Sequence, residues 1–218
     1  MTMKSATATR VLAGVVVPDT PAIALALERA RSGSEAYLFN HVVRSWLFAA
    51  RIAQLKSIAH DAEALAIGTL LHDLTLTKDF KGPRRFEVEA ADNARAFARE
   101  QGFDDHRAQL IWDGVALNST PSIASFKETE VALCTAGIGL DWAGFQYDRF
   151  PAEEMAAILK AFPRLDMKKR FTDSVCDLVK ARPETTYDNF SRDFGERFVP
   201  GYKSGSSVDV LMNAPFAE

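Results

Sequence analysis

Between positions 40 and 57, Val42, Val43, Trp46, Leu47, Ala50, Ala53 and Leu55 recur at three- and four-residue steps, so most of the circumference of a helix there must be buried. A helix apolar on most sides needs a shell of other elements, and the rest of the chain supplies helices. Asp61 stands where an N-cap belongs, ahead of Glu63, and Leu65, Ala66, Leu70 and Leu71 make the apolar face of a second helix over about 62–73. After a polar loop with Lys78, Asp79, Lys81, Gly82 and Pro83, helical spacing resumes at Phe86, Ala90, Ala94, Phe97 and Ala98 and stops at Gly102. Asp105 caps a fourth helix through Ile111, Trp112, Val115 and Ala116. Glu130 to Trp142 forms a nearly all-apolar fifth, whose Ala136, Gly137 and Gly139 permit close backbone packing. Pro151 suits a first helical position ahead of Met155, Leu159 and Phe162, and a further helix spans 166–180. The tail after Pro183 reads as irregular. No alternating apolar run comes with an Asn-Gly or Asp-Gly turn, so strand signals are weak and the fold class is an all-α, compact, single-domain helical bundle.

Composition narrows the function classes. At 218 residues with 47% hydrophobic side chains the chain buries a sizeable core without disulfides, and its two cysteines, Cys134 and Cys176, exclude a stapled secreted scaffold. The net charge of −3 with no long basic run argues against nucleic acid as a partner. The apolar stretches Ala64–Leu71 and Val131–Leu140 are far short of the roughly 20 residues that span a bilayer, so no membrane partner is expected. Val11–Val17 imitates a signal-peptide core, but Pro18 and Asp19 break the pattern, and a cytoplasmic location is expected. The Asn118-Ser119-Thr120 triplet needs a secretory route to be a glycosylation acceptor and carries no weight. A small-molecule substrate and a homodimer, the commonest symmetric assembly, are the expected partners.

Four polar residues stand out because apolar helices deliver them to the interior. His72 and Asp73 end the run Ala-Leu-Ala-Ile-Gly-Thr-Leu-Leu, Asp141 ends Val131–Leu140, and His41 opens the long buried helix. Burying them unpartnered is costly. Two imidazoles and two carboxylates suit zinc, iron, manganese or a related divalent ion, and bundles build such sites from facing helices. The competing reading pairs Asp141 with an arginine and gives His41 a carbonyl. His60 and His106 stand in polar helix junctions and are read as incidental. Cys134, inside the fifth helix, is read as a small buried hydrophobe.

The pattern of His41 in Phe-Asn-His-Val-Val-Arg-Ser, His72 and Asp73 in Leu-Leu-His-Asp-Leu-Thr, and Asp141 in Gly-Leu-Asp-Trp-Ala-Gly resembles the HD-domain superfamily of metal-dependent hydrolases. Val-Pro-Asp-Thr at 17–20, Arg-Arg-Phe-Glu-Val-Glu at 84–89 and Phe-Val-Pro-Gly-Tyr at 198–202 are similar to its cyanamide hydratase-like branch. The resemblance implies one HD-type helical domain over 1–218, with a metal-binding core at about 37–145 and C-terminal helices and tail over 146–218. It implies a single divalent ion, zinc or iron foremost with manganese and nickel also compatible, held by His41, His72, Asp73 and Asp141. Asp73 would also serve catalysis, by proton transfer or water orientation. The implied reaction is metal-dependent hydration or hydrolysis of a small nitrogen-containing molecule such as cyanamide or a nitrile.

The chain departs from that branch at Asn118, where a histidine is common, and at Thr75, where a glycine is. Asn118 cannot supply an imidazole, which favours a mononuclear site. HD-type nucleotidases resemble a different arrangement, with a catalytic glutamate where this chain has Leu76. A phosphohydrolase served by Lys78, Lys81, Arg84 and Arg85 is the alternative, and a non-catalytic small-molecule-binding protein the second alternative. Asn118, Phe86, Trp112, Arg85 and Glu87 are the candidate substrate contacts, with one of the last two facing the pocket.

Overall fold

The computed structural model describes residues 8–77 and 82–216. The chain opens with a short antiparallel hairpin, β1 (Thr9–Leu12) and β2 (Val15–Pro18), in the register Thr9↔Pro18 to Leu12↔Val15. This hairpin is the one small sheet among the described residues of a fold that is otherwise all-α. The turn is Ala13-Gly14, with φ of 48° and 85°, so glycine supplies only one of the two positive-φ positions that Asn-Gly fills in commoner hairpins. The rest is helical, as the sequence requires.

Helix α1 (Pro21–Gly33), which the sequence reading does not assign, starts at Thr20, whose hydroxyl accepts from the Ile23 N–H, with Pro21 in the first turn. Helix α2 (Ala36–Leu55) begins four residues ahead of its expected start. Fourteen of its twenty residues are buried, so it forms the axis around which the others pack. Helix α3 (Ala62–Leu71) is capped by Asp61, which accepts from the Glu63 and Ala64 N–H groups; it stops before His72 and Asp73, which lie in the following turn. Helices α4 (Phe86–Glu100) and α5 (Asp105–Ala116) pack side by side. Gly102 between them has a φ of 80°, and Asp104, not Asp105, is the cap of α5. After the single turn α6 (Pro121–Ala124), helix α7 (Thr129–Ala143) runs along α2 and ends on Gly144 in the left-handed conformation.

Helices α8 (Ala152–Ala161) and α9 (Met167–Ala181) follow; Pro151 sits one position outside α8, at its cap. The tail is not irregular throughout: it forms α10 (Ser191–Phe198) and α11 (Ser207–Met212). The first is held because Phe190 and Phe194 pack on Phe171 of α9, while Tyr202 lies against Gly195 and meets the Thr186 hydroxyl at 2.9 Å. Among the described residues no helix is long and apolar enough to cross a membrane.

One apolar cluster joins β2 and α1–α5 with Leu140 of α7. A second binds Tyr37 and Leu38 of α2 and Phe86 of α4 to Met167, Phe171 and Val175 of α9. The start of α2, the turn after α3 and the end of α7 meet between these clusters, where α9 and α10 lie over them.

Candidate metal centre

His41 reaches this junction from the second turn of α2, His72 and Asp73 from the turn after α3, and all three are buried. The Nε2 atoms of His41 and His72 lie 3.2 Å apart, and Asp73 Oδ2 is 3.6 Å from the first and 3.3 Å from the second. Metal–ligand bonds of about 2.0–2.2 Å at tetrahedral angles put neighbouring ligand atoms about 3.3–3.6 Å apart. The triangle therefore has the size of one face of a first-row metal site.

The tautomers agree. His72 Nδ1 is 2.8 Å from the Thr69 carbonyl and His41 Nδ1 is 2.6 Å from Asp141 Oδ2. Both partners can only accept, so each Nδ1 carries the hydrogen and each Nε2 presents a lone pair to the same point, with the outer partner fixing each ring as metal-bound histidines require. Asp73 Oδ2 is buried without any hydrogen-bond partner. A carboxylate oxygen left unpaired between two imidazole lone pairs is unfavourable unless a cation joins them, so the residues fit a divalent ion.

The protein's electrostatics point the same way. Burial pushes the His41 imidazole below its ordinary value despite the hydrogen bond to Asp141. For His72 burial acts downward too, but the negative charge of the neighbouring Asp73 outweighs it and the value is raised. Burial would raise Asp73, yet the two histidines hold it below the usual carboxylate range. The three groups together accommodate a positive charge.

Asp141 stands behind this triangle and is not one of its corners. Its Oδ2 receives His41 Nδ1 and Arg44 Nη2 (2.8 Å), and its Oδ1 receives Arg44 Nε (2.7 Å) and Arg164 Nη1 (3.1 Å). The structure thus brings together three of the four expected ligand atoms. The fourth expected ligand, Asp141, is committed to the pairing with arginine that the sequence left open, because Arg44, three residues after His41, is fully buried on the same face of α2. Burial works to raise the Asp141 carboxyl, but His41 and Arg44 hold it far below the ordinary range.

His41 and Asp73 form the closed end of a cavity of about 170 Å³, whose walls are Asn118, Ser119, Pro121, Thr135, Ile138, Gly139, Trp142, Phe145, Phe171 and Phe190. Of the candidate substrate contacts only Asn118 lines it. Phe86 is fully buried one layer back, edge-on to Phe190 at 6.0 Å. Trp112 lies elsewhere: its Nε1 donates to Asp92 and Arg95 covers its ring. Neither Arg85 nor Glu87 lines the cavity. They pair with each other at 2.8 Å, and Glu87, fully buried, accepts from the Ser119 hydroxyl at 2.9 Å. Lys78 and Lys81 fall outside the described residues, and Arg84 is bound to Glu89 and Asp92.

Sequence reasoning passed over Thr135, Ile138 and Trp142, although their spacing of three and four residues ahead of and just past Asp141 places them on one face of α7. Phe171 and Phe190 carry no such signal, since only the folding of α9 and α10 over α2 brings them to the site. His60 bonds the Ile58 carbonyl, and His106 is exposed. Burial pushes the Cys134 thiol up to about 12, in keeping with an inert side chain. Searched against models of protein families and against curated proteins, the chain matches none, so the reading of this centre rests on its geometry.

Proposed function

We propose that this protein is an HD-type metal-dependent hydratase or hydrolase, holding one divalent ion on His41, His72 and Asp73 and adding water to a small, neutral, nitrogen-containing substrate such as cyanamide or a nitrile. The unpartnered Oδ2 of Asp73, facing two Nε2 lone pairs at the closed end of an apolar cavity, carries the reading. A bound divalent ion brings the pKa of water toward neutrality and polarises the electron-rich end of a substrate.

The chain's own groups supply the rest. The Thr69 carbonyl and Asp141 hold both rings in the productive tautomer. Among the described residues Asp73 is the carboxylate that lines the cavity, so it takes the proton released by the attacking water and returns it to the substrate nitrogen. For a nitrile the addition gives an amide, and for cyanamide it gives urea. Ile138, Trp142, Phe145, Phe171 and Phe190 exclude bulk water from the reacting end.

A phosphate ester suits these walls poorly. Among the described residues no Lys or Arg lines the cavity, and Arg84 and Arg85 are already paired with carboxylates. Elemental analysis of untagged protein should find about one transition-metal ion per chain, lost in His72→Ala, and the loaded protein should turn over cyanamide or a nitrile. Two ions per chain with turnover of phosphate esters would replace this reading by a phosphohydrolase. Absence of metal after reconstitution would replace it by a binding protein.

A further inference from the structure

A second cavity, of about 180 Å³, adjoins the first and shares Trp142 and Phe171 with it. Its apolar lining is a row of rings, Trp142 edge-on to Phe171 at 6.2 Å and Phe171 edge-on to Phe194 at 6.3 Å, together with Met167. Its charged lining residues are Arg164 and Lys168, and among the described residues no Asp or Glu lines it. Thr172 completes the lining, with its hydroxyl spent on the Lys168 carbonyl at 2.8 Å. Two cations beside aromatic walls, with no carboxylate in the cavity to answer them, invert the character of the first cavity.

Arg164 is tethered through one nitrogen only. Its Nη1 donates to the Asp141 carbonyl oxygen at 2.8 Å and to Asp141 Oδ1 at 3.1 Å, which uses both hydrogens of that nitrogen. Nε and Nη2 have no partner among the described residues and are not among the sealed polar atoms, so this edge of the guanidinium is reachable from solvent. Its charge is also in surplus, because Arg44, bound to Asp141 through two nitrogens, already matches that carboxylate. Lys168 has no ion-pair partner among the described residues, whereas the next two cations, Lys169 and Arg170, are taken by Asp173 and Glu35. The intervening Asp166 is exposed and does not line the cavity. We infer that this cavity binds a small carboxylate with a flat apolar body, its two oxygens on Nε and Nη2 of Arg164, its charge further balanced by Lys168, and its body against Trp142, Phe171 and Phe194. Two parallel N–H donors match a carboxylate, and the rings favour an apolar body over a bare, strongly hydrated anion. The site is separate from the metal ligands and does not depend on the hydratase reading.

Benzoate is a suitable probe, with benzamide as the neutral analogue of the same shape and acetate as the carboxylate without a ring. Calorimetric titration of the full-length protein should give benzoate a Kd at or below about 1 mM, about tenfold or more tighter than either analogue. Affinity should fall about two- to fivefold in Lys168→Ala, an exposed position whose loss leaves no partner stranded, and about tenfold in Arg164→Lys, which keeps the charge and loses the planar fork. It should be the same in zinc-loaded and chelator-treated protein. No binding at about 10 mM benzoate, an analogue that binds as tightly, or an unchanged affinity in either variant would overturn the inference. So would binding that the chelator abolishes, since that would put the carboxylate on the ion. Binding is read without turnover, so a protein that hydrates nothing yet binds benzoate in this pattern would overturn the hydratase reading and leave the carboxylate site standing.

Discussion

Gly137 is where the spacing of α2 and α7 is set, and Gly137→Ala tests whether that spacing holds the site. A Cβ built on Gly137 lies 2.6 Å from Ala49 Cβ, 2.7 Å from Ala49 N and closer still to the Ser45 carbonyl oxygen. Two of these are backbone atoms of α2, so no side chain can turn away. Restoring a carbon–carbon contact of about 3.5 Å moves one helix by roughly 0.9 Å. Overpacking of this kind costs about 1–3 kcal/mol, here near the upper end because backbone must shift, while replacing a mid-helix glycine by alanine returns about 1 kcal/mol. The expected net loss is about 2 kcal/mol, or a fall of roughly 4–8 °C in Tm for a chain of this length.

Gly139→Ala is the control, two residues along the same helix. Its Cβ meets Phe145 Cδ2 at 2.9 Å, but Phe145 is 55% exposed and free to rotate, so the propensity gain should leave the variant within about 1 kcal/mol of wild type. The consequence for the metal ligands belongs to Gly137 alone. A shift of this size disturbs the 2.6 Å contact between His41 on α2 and Asp141 on α7, and loss of such an outer partner lowers metal affinity about 10–100-fold. Urea unfolding and metal titration of both variants check this. A Gly137→Ala protein as stable as wild type, or destabilised no more than Gly139→Ala, would refute the account of the interface.

Asp141→Ala should destabilise the fold by about 3–5 kcal/mol, since it strands the buried Arg44 guanidinium, whereas His72→Ala should lose metal with far less cost; chemical denaturation beside elemental analysis separates them. Asp61 gives an acid-side test. Burial would raise its carboxyl, but Arg107 and the N–H groups of Ala64 and Glu63 outweigh that and hold it below the ordinary range. Its contribution is therefore full above the unfolded value of about 3.9 and is lost as pH falls through the lower folded value, so the stability gap between wild type and Asp61→Asn should hold from pH 7 down to about 4 and narrow below about 3.9. With its thiol pushed up to about 12 by burial, Cys134 should resist thiol reagents at pH 8 in the native state and react only on unfolding; prompt labelling of native protein would contradict its placement.

The parts of the fold that were legible in the sequence are those with a long apolar period. Helices α2, α3, α4, α5 and α7 announce themselves because each carries large apolar residues at helical spacing, and Asp61 and Gly102 mark ends by their own chemistry. The hairpin was not legible because four-residue strands are too short to show alternation and its turn lacks the usual asparagine. Helix α1 buries mainly alanine, at 22, 26 and 30, with Ile23, so its stripe is too thin to stand out. At the site, His41, His72 and Asp73 were readable as polar groups that apolar helices force inward. Their neighbours from α9 and α10 were not, because nothing local to Phe171 or Phe190 encodes the long-range packing that brings them to the cavity.

Asp141 shows where such reasoning stops and geometry takes over. A carboxylate at the end of an apolar helix must be compensated, and a metal ion and an arginine both satisfy that requirement; only placement distinguishes them. The outcome matters for the chemistry. Three ligands with one negative charge among them leave a divalent ion a net charge of about +1, whereas a fourth, anionic ligand would cancel it. Arg44, bound through two nitrogens, neutralises Asp141, so Asp141 can fix the His41 tautomer without lending its charge to the centre. On the proposed reading the ion keeps its electrophilicity, and a low-dielectric, aromatic-walled cavity with no Lys or Arg among its described lining residues makes that residual charge the main attraction for the electron-rich end of a neutral substrate.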